Sequence, residues 1–275
     1  DGLAAGKGVI IAKNKNEAVE TIKNIMSKRI FGASGENIII EEFLEGEEIS
    51  FFALVDANGF ILPLTTAQDH KKIGEGDTGL NTGGMGAYSP VPFIKQNQIN
   101  DFVIKFVKPV IDDLKHNNIF FSGVFYAGLI LTKCEPKLLE INVRFGDPEV
   151  QAVLPRLKAD LLDLLLASSK GRLDQFRSLE WNNDFCINVV MASKGYPESY
   201  KKNTIISGLN KITVDKSQYI FHSSTRKNED HWLATGGRVL SISALGSTLK
   251  EARNKAYNVI NKIDWKSGYY RNDIG

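Results

Sequence analysis

The segment 138–149, LLEINVRFGDPE, constrains the fold more than any other part of the sequence. Its first seven residues alternate between apolar and polar, as in a β-strand whose successive side chains point to opposite faces. The apolar face comprises Leu139, Ile141 and Val143, and the polar face comprises Glu140, Asn142 and Arg144. We predict a strand anchored in a core by its apolar face, with a functional polar row on the other face.

This polar row suits a divalent cation and an anion. Glu140 and Asn142 offer two hard oxygen ligands, which Mg²⁺ accepts together with water and phosphate oxygens. Arg144 can grip an anion through two N–H groups. The alternative is an edge strand with a merely solvated face. The polar turn that follows, which contains Asp147, favours a site.

The composition excludes several classes of protein. The 275 residues are 43% hydrophobic and 24% charged, with a net charge of +2, which indicates a globular chain of one or two domains without a nucleic-acid surface. No apolar run approaches the roughly 18 residues of a membrane span. Two cysteines are too few for a disulfide framework or a thiolate metal site, and the four histidines show no zinc spacing. We expect a reduced, cytoplasmic setting.

The opening stretch DGLAAGKGV is typical of a turn that approaches phosphate. Gly6 and Gly8 flank Lys7, so the backbone can turn sharply beside a positive charge. It is not the P-loop of NTPases, whose spacing and following Ser or Thr are absent. A flexible turn with an incidental lysine is the alternative. Because the chain starts inside this turn without a methionine, we expect a piece of a longer protein.

We predict a mixed α/β chain of three units. Residues 1–64 would form a small α+β unit, with strands at 9–13 and 37–44 and a helix capped by Asn16. Its carboxylates Glu41, Glu42, Glu47 and Glu48 are either surface charge or contacts to a nucleotide sugar.

The other two units follow a polar stretch near residue 180. Residues 65–182 would hold a central sheet in which strand 138–144 lies beside a buried strand at 123–132. Residues 183–275 would form a smaller α+β domain that packs against or closes over the site.

Segment 68–92 is rich in glycine and has no hydrophobic period. A long irregular stretch in a compact domain is usually a functional loop or disordered. Asp69, His70 and Lys71 at its start, and the glycines around Gly84, favour a loop wrapped on a ligand.

Five motifs together resemble the ATP-grasp ligases and, within them, the phosphoribosylamine–glycine ligase family. They are DGLAAGKGV, EEFLEGEEISF, QDHKKIGEGDTGLNTGGMGAYSPVP, NVRFGDPE and GGRVLSISALG. The resemblance runs along the whole chain. It implies an ATP-grasp fold with a smaller C-terminal α+β domain, and a Rossmann-like N-terminal domain that this chain lacks.

The resemblance also implies roles for individual residues. The ATP site would comprise Gly6, Lys7 and Gly8 at the phosphates, Glu41, Glu42, Phe43 and Leu44 at the adenine, and Glu48 at the ribose. Mg²⁺, or Mn²⁺ in its place, would be held by Glu140 and Asn142. The substrates would be met by Asp69, His70, Lys71, Gly84, Arg144 and Asp147, with Lys7, Arg144 and Asp147 taking part in catalysis. Strand 123–132 offers no acidic ligand for a second metal ion.

The implied reaction joins glycine to 5-phosphoribosylamine through glycyl phosphate, with ATP converted to ADP and phosphate. A related carboxylate–amine ligase is one rival, although the QDHK and GGMGAYSP segments argue against it. The other is a nucleotide-binding module without turnover. We expect no nucleic-acid or membrane partner, and the sequence is compatible with a monomer.

Overall fold

A computed structural model describes residues 8–229 and 231–275. The chain divides into two compact units, Asp1–Glu45 and Gly46–Gly275. This division falls at residue 45, before the predicted domain boundary at residue 64. The reason is that Glu47–Val55 forms a strand that pairs along its whole length with Gly123–Leu131 in the second unit. The predicted boundary near 182 has no counterpart in this division.

The first unit is mainly helical where it is described. Helix α1 (Lys15–Ile22) continues as a π-helical turn, Lys23–Ser27, and a 3₁₀ turn follows at Gly32–Gly35. Asn14, and not Asn16, caps α1, because its side chain accepts a hydrogen bond from the Glu17 N–H. The strands predicted at 9–13 and 37–44 are absent: neither segment has a partner strand within the described part of this unit.

The second unit is built on one long antiparallel sheet. Its strands, in chain order with the helices between them, have the following bounds: β1 Glu47–Val55, β2 Ile61–Asp69, β3 Lys72–Gly74, β4 Thr78–Asn81, β5 Gly86–Ser89, α2 Gln96–Phe102, α3 Lys108–His116, β6 Gly123–Leu131, β7 Pro136–Asn142, α4 Val150–Val153 and α5 Leu161–Ser169. The later elements are β8 Phe185–Ser193, β9 Thr204–Ile206, β10 Gln218–His222, β11 Thr225–Asn228, β12 His231–Ala234, β13 Arg238–Gly246, α6 Leu249–Ile260 and β14 Gly268–Tyr269.

Within the described residues, the long sheet has the order β10-β13-β8-β5-β2-β1-β6-β7, and β14 adds to β8. Two small sheets, β11-β12-β9 and β3-β4, lie off this path. The long sheet continues past residue 182, so the strands of the predicted second and third units share one hydrogen-bonded framework.

Alternation along β1 places large apolar side chains on both faces of the sheet. Phe51 packs with Phe102 and the other apolar residues of α2 and α3, while Phe52 packs with Leu164 of α5 on the opposite face. A third core joins β8 and β13 to α6. A π-helical turn, Val103–Val107, lies between α2 and α3 just before Pro109, because proline cannot donate to the preceding turn.

Strand β7 differs from the prediction in its burial. It is the terminal strand of the long sheet, so Leu139, Ile141 and Val143 are 40%, 39% and 70% exposed rather than anchored in a core. Leu138 packs against the core instead, because the register of β7 on β6 shifts between Gly128 and Leu129. The strand is placed by its ladder to β6 more than by its apolar side chains.

Segment 68–92 is more regular than predicted. It contains the end of β2, the β3–β4 hairpin and β5. The hairpin is held by residues near the carboxyl end of the printed sequence: Arg271 donates to the Lys72 carbonyl and to Asp77, and Tyr269 donates to the Ile73 carbonyl. Glycines set the turns, and these distant contacts fix the segment. No helix of the described residues is long and apolar enough to cross a membrane.

Candidate active site

A cleft of about 270 Å³, open to solvent, lies where β1, β2, β6 and β7 run side by side. Charged and polar residues from all four strands line it, together with three apolar residues. The lining residues are Glu48, Ile49, Ser50, Asp69, Lys71, Tyr126, Gly128, Leu129, Leu139 and Glu140. The cleft therefore gathers Glu48, Asp69, Lys71 and Glu140, four of the residues singled out in the sequence.

An ion pair links two of these residues. Lys71 Nζ lies 2.6 Å from Glu48 Oε2. Burial disfavours the charge of Lys71, but the hydrogen bond that Lys71 donates to Glu48 and the negative charges of Glu48, Asp69 and Glu140 outweigh burial and raise the pKa of Lys71. The cleft therefore contains a lysine that stays fully protonated near neutral pH.

Asp69 has the opposite environment. Burial, with the nearby charge of Glu149, raises the pKa of Asp69 well above its usual value, although Lys71 and Arg238 act against this rise. Its Oδ1 atom is buried and has no hydrogen-bond partner among the described residues. An unsatisfied buried carboxylate oxygen is costly for a fold and is a common feature of binding sites.

Two of the three residues in the predicted polar row, Glu140 and Asn142, lie on β7, whereas Arg144 lies beyond its last residue. Glu140 pairs with Gly128 and Asn142 pairs with Tyr126 across β6, so both side chains lie on one face of the sheet. Ser50 of β1 pairs with the same Gly128. A Cβ atom at Gly128 would lie 2.9 Å from Glu140 Cγ, so this glycine makes room for the Glu140 side chain.

The donor set is suited to a hard cation but is small. Glu140 supplies a carboxylate oxygen and Asn142 supplies an amide oxygen, both on an exposed strand. Mg²⁺ prefers oxygen ligands of this kind. The described residues hold no group of three or more His, Cys, Asp or Glu that could bind a metal ion. Strand β6 contributes no acidic residue beside them, as the sequence predicted.

A buried network behind the cleft escaped the sequence prediction. Ser50 Oγ donates to Glu149 Oε1 over 2.8 Å and lies 3.0 Å from the Tyr126 hydroxyl. Glu149 is 4% exposed. Burial and the charge of Glu149 raise the pKa of Tyr126, which keeps this hydroxyl protonated. The only signal in the sequence was a glutamate directly after the Gly-Asp-Pro turn.

The turn that carries Gly84 and the turn that carries Asp147 meet. Gly84 has φ +109°, and a Cβ there would lie 2.2 Å from Pro148 Cδ and 2.6 Å from Asp69 Oδ1. Arg238 of β13 donates to the carbonyls of Gly83 and Asp147 and pairs with the Asp147 carboxylate at 3.2 Å. Arg238 was not predicted as a site residue.

Four of the six predicted substrate residues lie outside the cleft lining: Gly84 and Asp147 on the two turns, and His70 and Arg144. His70 is largely buried, and burial together with the charge of Arg271 lowers its pKa, although Asp77 lies 3.7 Å from Nδ1. Its Nε2 atom is buried without a partner among the described residues. Arg144 is exposed and donates to the Phe145 carbonyl over 2.7 Å.

The predicted ATP residues divide among three places. Gly6 and Lys7 lie outside the described residues, and Gly8 is exposed. Residues 41–44 belong to the first unit and form neither helix nor strand. There Glu41, Glu42 and Phe43 are exposed and Leu44 is half-buried. Glu48 lines the cleft of the second unit.

Comparison with known proteins connects this cleft with one family. Residues 1–150 match the ATP-grasp (A) domain of phosphoribosylglycinamide synthetase, and residues 186–275 match its C domain. The predicted boundary at 182 falls between these two matches.

Three curated relatives illustrate the similarity. The chain is 48% identical to the chloroplastic phosphoribosylamine–glycine ligase of Arabidopsis thaliana, over all of this chain and 52% of that protein. The ligase of Caldanaerobacter subterraneus is 47% identical over all of this chain and 64% of its own length. The ligase of Vigna unguiculata is 46% identical over 98% of this chain and 87% of its own length. The chain thus spans about half to two thirds of most of the curated relatives it matches.

Solved structures agree. The phosphoribosylamine–glycine ligase of Thermotoga maritima superposes with a TM-score of 0.88 and 32% identity, over all of this chain and 67% of that one. The biotin carboxylase domain of a Hydrogenobacter thermophilus 2-oxoglutarate carboxylase shares the fold alone, with a TM-score of 0.71 and 14% identity over 97% of this chain and 56% of that one. The predicted ATP-grasp fold is confirmed, and the chain belongs to the phosphoribosylglycinamide synthetase family.

Proposed function

We propose that this chain is the larger part of a ligase that joins glycine to 5-phosphoribosylamine at the expense of ATP. Glycine and ATP would give glycyl phosphate and ADP, and the amine of phosphoribosylamine would then displace phosphate to give glycinamide ribonucleotide. The observation that carries this proposal is the cleft. In a chain of this family, one sheet face places the Glu48–Lys71 pair, Asp69 and the Glu140–Asn142 row together.

The phosphoryl-transfer half of the reaction needs positive charge and alignment more than an acid or base. In this proposal Glu140 and Asn142 hold Mg²⁺, or Mn²⁺ in its place, and Gly128 leaves the space that the Glu140 side chain occupies. When bound, the ion would offset the charge of the β- and γ-phosphates. Lys71 adds a fixed positive charge, and its hydrogen bond to Glu48 keeps it directed along the cleft.

The ATP site of the proposal extends beyond the cleft. The glycine turn with Gly6, Lys7 and Gly8 would cover the phosphates. The segment Glu41, Glu42, Phe43 and Leu44 would bind the adenine. Glu48 would bind the ribose hydroxyls, since its hydrogen bond to Lys71 uses Oε2 and a carboxylate has two oxygens.

Asp69 is proposed to bind the ammonium group of glycine. Its buried Oδ1 has no partner among the described residues, and a cation placed there would stabilise a carboxylate that burial now disfavours. Binding would then lower the pKa of Asp69. Arg144 and Asp147 are proposed to meet the remaining charges of the two substrates, next to Gly84 and His70.

An acyl phosphate reacts readily with water, so the cleft must exclude water during the reaction. The turns at Gly84 and Asp147 lie on one side of Asp69 and would form part of the wall that excludes water.

The proposal includes a cytoplasmic location for this protein. The related Arabidopsis protein is named as chloroplastic.

The test is ADP formation by the full-length protein with Mg²⁺ and freshly generated phosphoribosylamine, compared with residues 1–275 alone. The proposal expects ADP release that depends on both glycine and phosphoribosylamine. ATP binding without such release by the full-length protein would instead identify a nucleotide-binding module. That alternative is disfavoured, because the chain matches ligases along its whole length.

A further inference from the structure

Arg238, the first residue of β13, lies where two turns of the candidate site come together. Its NH1 group is 2.6 Å from the Gly83 carbonyl oxygen, 2.7 Å from the Asp147 carbonyl oxygen and 3.2 Å from Asp147 Oδ1. The two turns are separated by more than 60 residues in the sequence, and Arg238 is 155 residues from Gly83 and 91 from Asp147. A single guanidinium therefore connects two turns that are far apart in the sequence.

The Gly83 turn is shaped around this arginine. A Cβ atom at Gly83 would lie 3.0 Å from Arg238 Cζ and 3.1 Å from NH2, so any other residue at this position would push the guanidinium away from the backbone by a few tenths of an ångström. The Gly83 N–H donates to the Tyr196 hydroxyl over 2.9 Å. Two residues from the part of the chain after 182 thus hold both the N–H and the carbonyl of Gly83.

Gly84, the next residue, lies between this turn and Asp69. Gly84 fits between Asp69 and Pro148, where a Cβ would collide with Asp69 Oδ1 at 2.6 Å and with Pro148 Cδ at 2.2 Å. A small displacement of either turn therefore changes the space beside the buried Oδ1 atom. The side chain of Arg238 is 22% exposed, so its bonds are largely sheltered from water.

We propose that Arg238 is a positioning residue for glycine binding, which it supports by holding the Gly83–Gly84 and Asp147–Pro148 turns together around Asp69. The C domain of the family would then complete the substrate side of the cleft, while the ATP side is formed by the ATP-grasp domain alone. This inference rests on the proposed function.

The test compares Arg238→Met and Arg238→Lys with Arg226→Met in the full-length protein. Arg226 is a matched control, because it is exposed on β11 and donates to Asn203 away from the cleft. We expect Arg238→Met to raise KM for glycine about tenfold and to leave KM for ATP within about twofold, since the brace adjoins Asp69 and not the ATP residues. Arg238→Lys should recover only part of this loss, because an ammonium can donate to the same oxygens but lacks the planar guanidinium that packs against the Gly83 backbone.

A second measurement does not depend on activity. Hydrogen exchange of the amides in residues 82–86 should be faster in Arg238→Met, while the amides of β8 and β13 keep the wild-type rate. If Arg238→Met does not fold, Tyr196→Phe removes the other contact to Gly83 and should give a smaller change in the same direction.

Three results would overturn the inference: unchanged KM for glycine, an equal rise in KM for glycine and ATP, or unchanged exchange at 82–86. Failure of the proposed function has a different signature. The wild-type protein would then show no glycine-dependent ADP release, while the exchange comparison would still report whether Arg238 holds the two turns.

Discussion

Two groups of charged side chains in the second unit differ in how their charges are matched. In the cleft, Asp69 keeps a buried oxygen without a partner, and burial raises its pKa. Beneath the β3–β4 hairpin, Arg271 is 1% exposed and pairs with Asp77 and Asp273, each at 2.7 Å. There, the hydrogen bond from Arg271 lowers the pKa of Asp273 to about 2.

The difference separates binding from structure. Matched charges around a buried arginine stabilise one particular arrangement of these side chains. The cluster therefore makes the hairpin more rigid. A buried carboxylate left unmatched costs stability, and a ligand of opposite charge can recover that cost. We therefore expect substitutions in the cleft to affect activity, and substitutions in the Arg271 cluster to affect stability.

The largest expected effect is on turnover. Glu140→Ala should lower kcat at least about 10³-fold, or about 4 kcal/mol, because it removes the carboxylate proposed to hold the metal ion. Glu140 is exposed, so the free energy of unfolding should change by less than about 0.5 kcal/mol. Steady-state ADP release and urea unfolding measure the two quantities.

The matched control for this change is Glu135→Ala. Glu135 is also exposed, on the turn before β7, and pairs with Lys105 at 2.6 Å away from the cleft. Wild-type turnover in Glu140→Ala would contradict the metal assignment.

The next effect is on stability. Arg271→Met should lower the free energy of unfolding by about 3 kcal/mol, because it leaves Asp77, Asp273 and the Lys72 carbonyl without their buried partner. Urea unfolding measures the loss, and Arg226→Met is the exposed control. A loss no larger than that of the control would remove the distinction between the two clusters.

Asp69→Asn tests the cleft, where the Asp69 carboxylate has a buried oxygen without a partner. It should raise KM for glycine about tenfold, since an amide does not balance an ammonium charge. The free energy of unfolding should stay the same or rise, because the substitution removes a buried charge. The sign of this stability change follows from the raised pKa of Asp69 in the folded protein. Above the unfolded pKa near 4, the carboxyl group ionises more readily in the unfolded chain than in the folded one, and this lowers the free energy of unfolding of the wild type.

Any gain in stability should therefore be absent below about pH 4 and grow as the pH rises. A clear loss of stability at pH 7 would show that the Asp69 carboxylate is matched after all.

The smallest effect is a pH dependence. Asp273 has a lowered pKa of about 2, so it contributes stability above its unfolded pKa and loses this contribution as the pH falls from about 4 to about 2. Because its side chain is 33% exposed, we expect the contribution to be about 1 kcal/mol after screening by solvent. Urea midpoints of the wild type and Asp273→Asn should converge over this range. Parallel curves would contradict the assignment.

The sequence contained the local part of the site. The period-two pattern of 138–144 correctly placed Glu140 and Asn142 on one face, because alternation is a property of the strand itself. The same pattern misplaced the apolar face of β7. Whether Leu139 and Ile141 are buried depends on the position of the strand at the sheet edge, which alternation does not encode.

The remaining site residues depend on contacts between distant segments. Ser50 meets Glu149 across 99 residues, and Arg238 meets Gly83 across 155. Nothing local distinguishes these residues from ordinary polar ones. Gly128 carried a local signal that the prediction did not use: a glycine inside an apolar strand indicates a close approach, here by Glu140.

The clamp on the β3–β4 hairpin has a consequence for the order of synthesis. The hydrogen bonds from Tyr269 and Arg271, and that between Gly76 and Asp273, join residues 194 to 199 positions apart. At ribosomal speeds, the residues that hold the hairpin are therefore synthesised about 10 to 40 s after the hairpin itself. During that time the wall beside Lys71 lacks its support, so a nascent chain can complete the sheet strands β1 and β2 well before it completes the cleft.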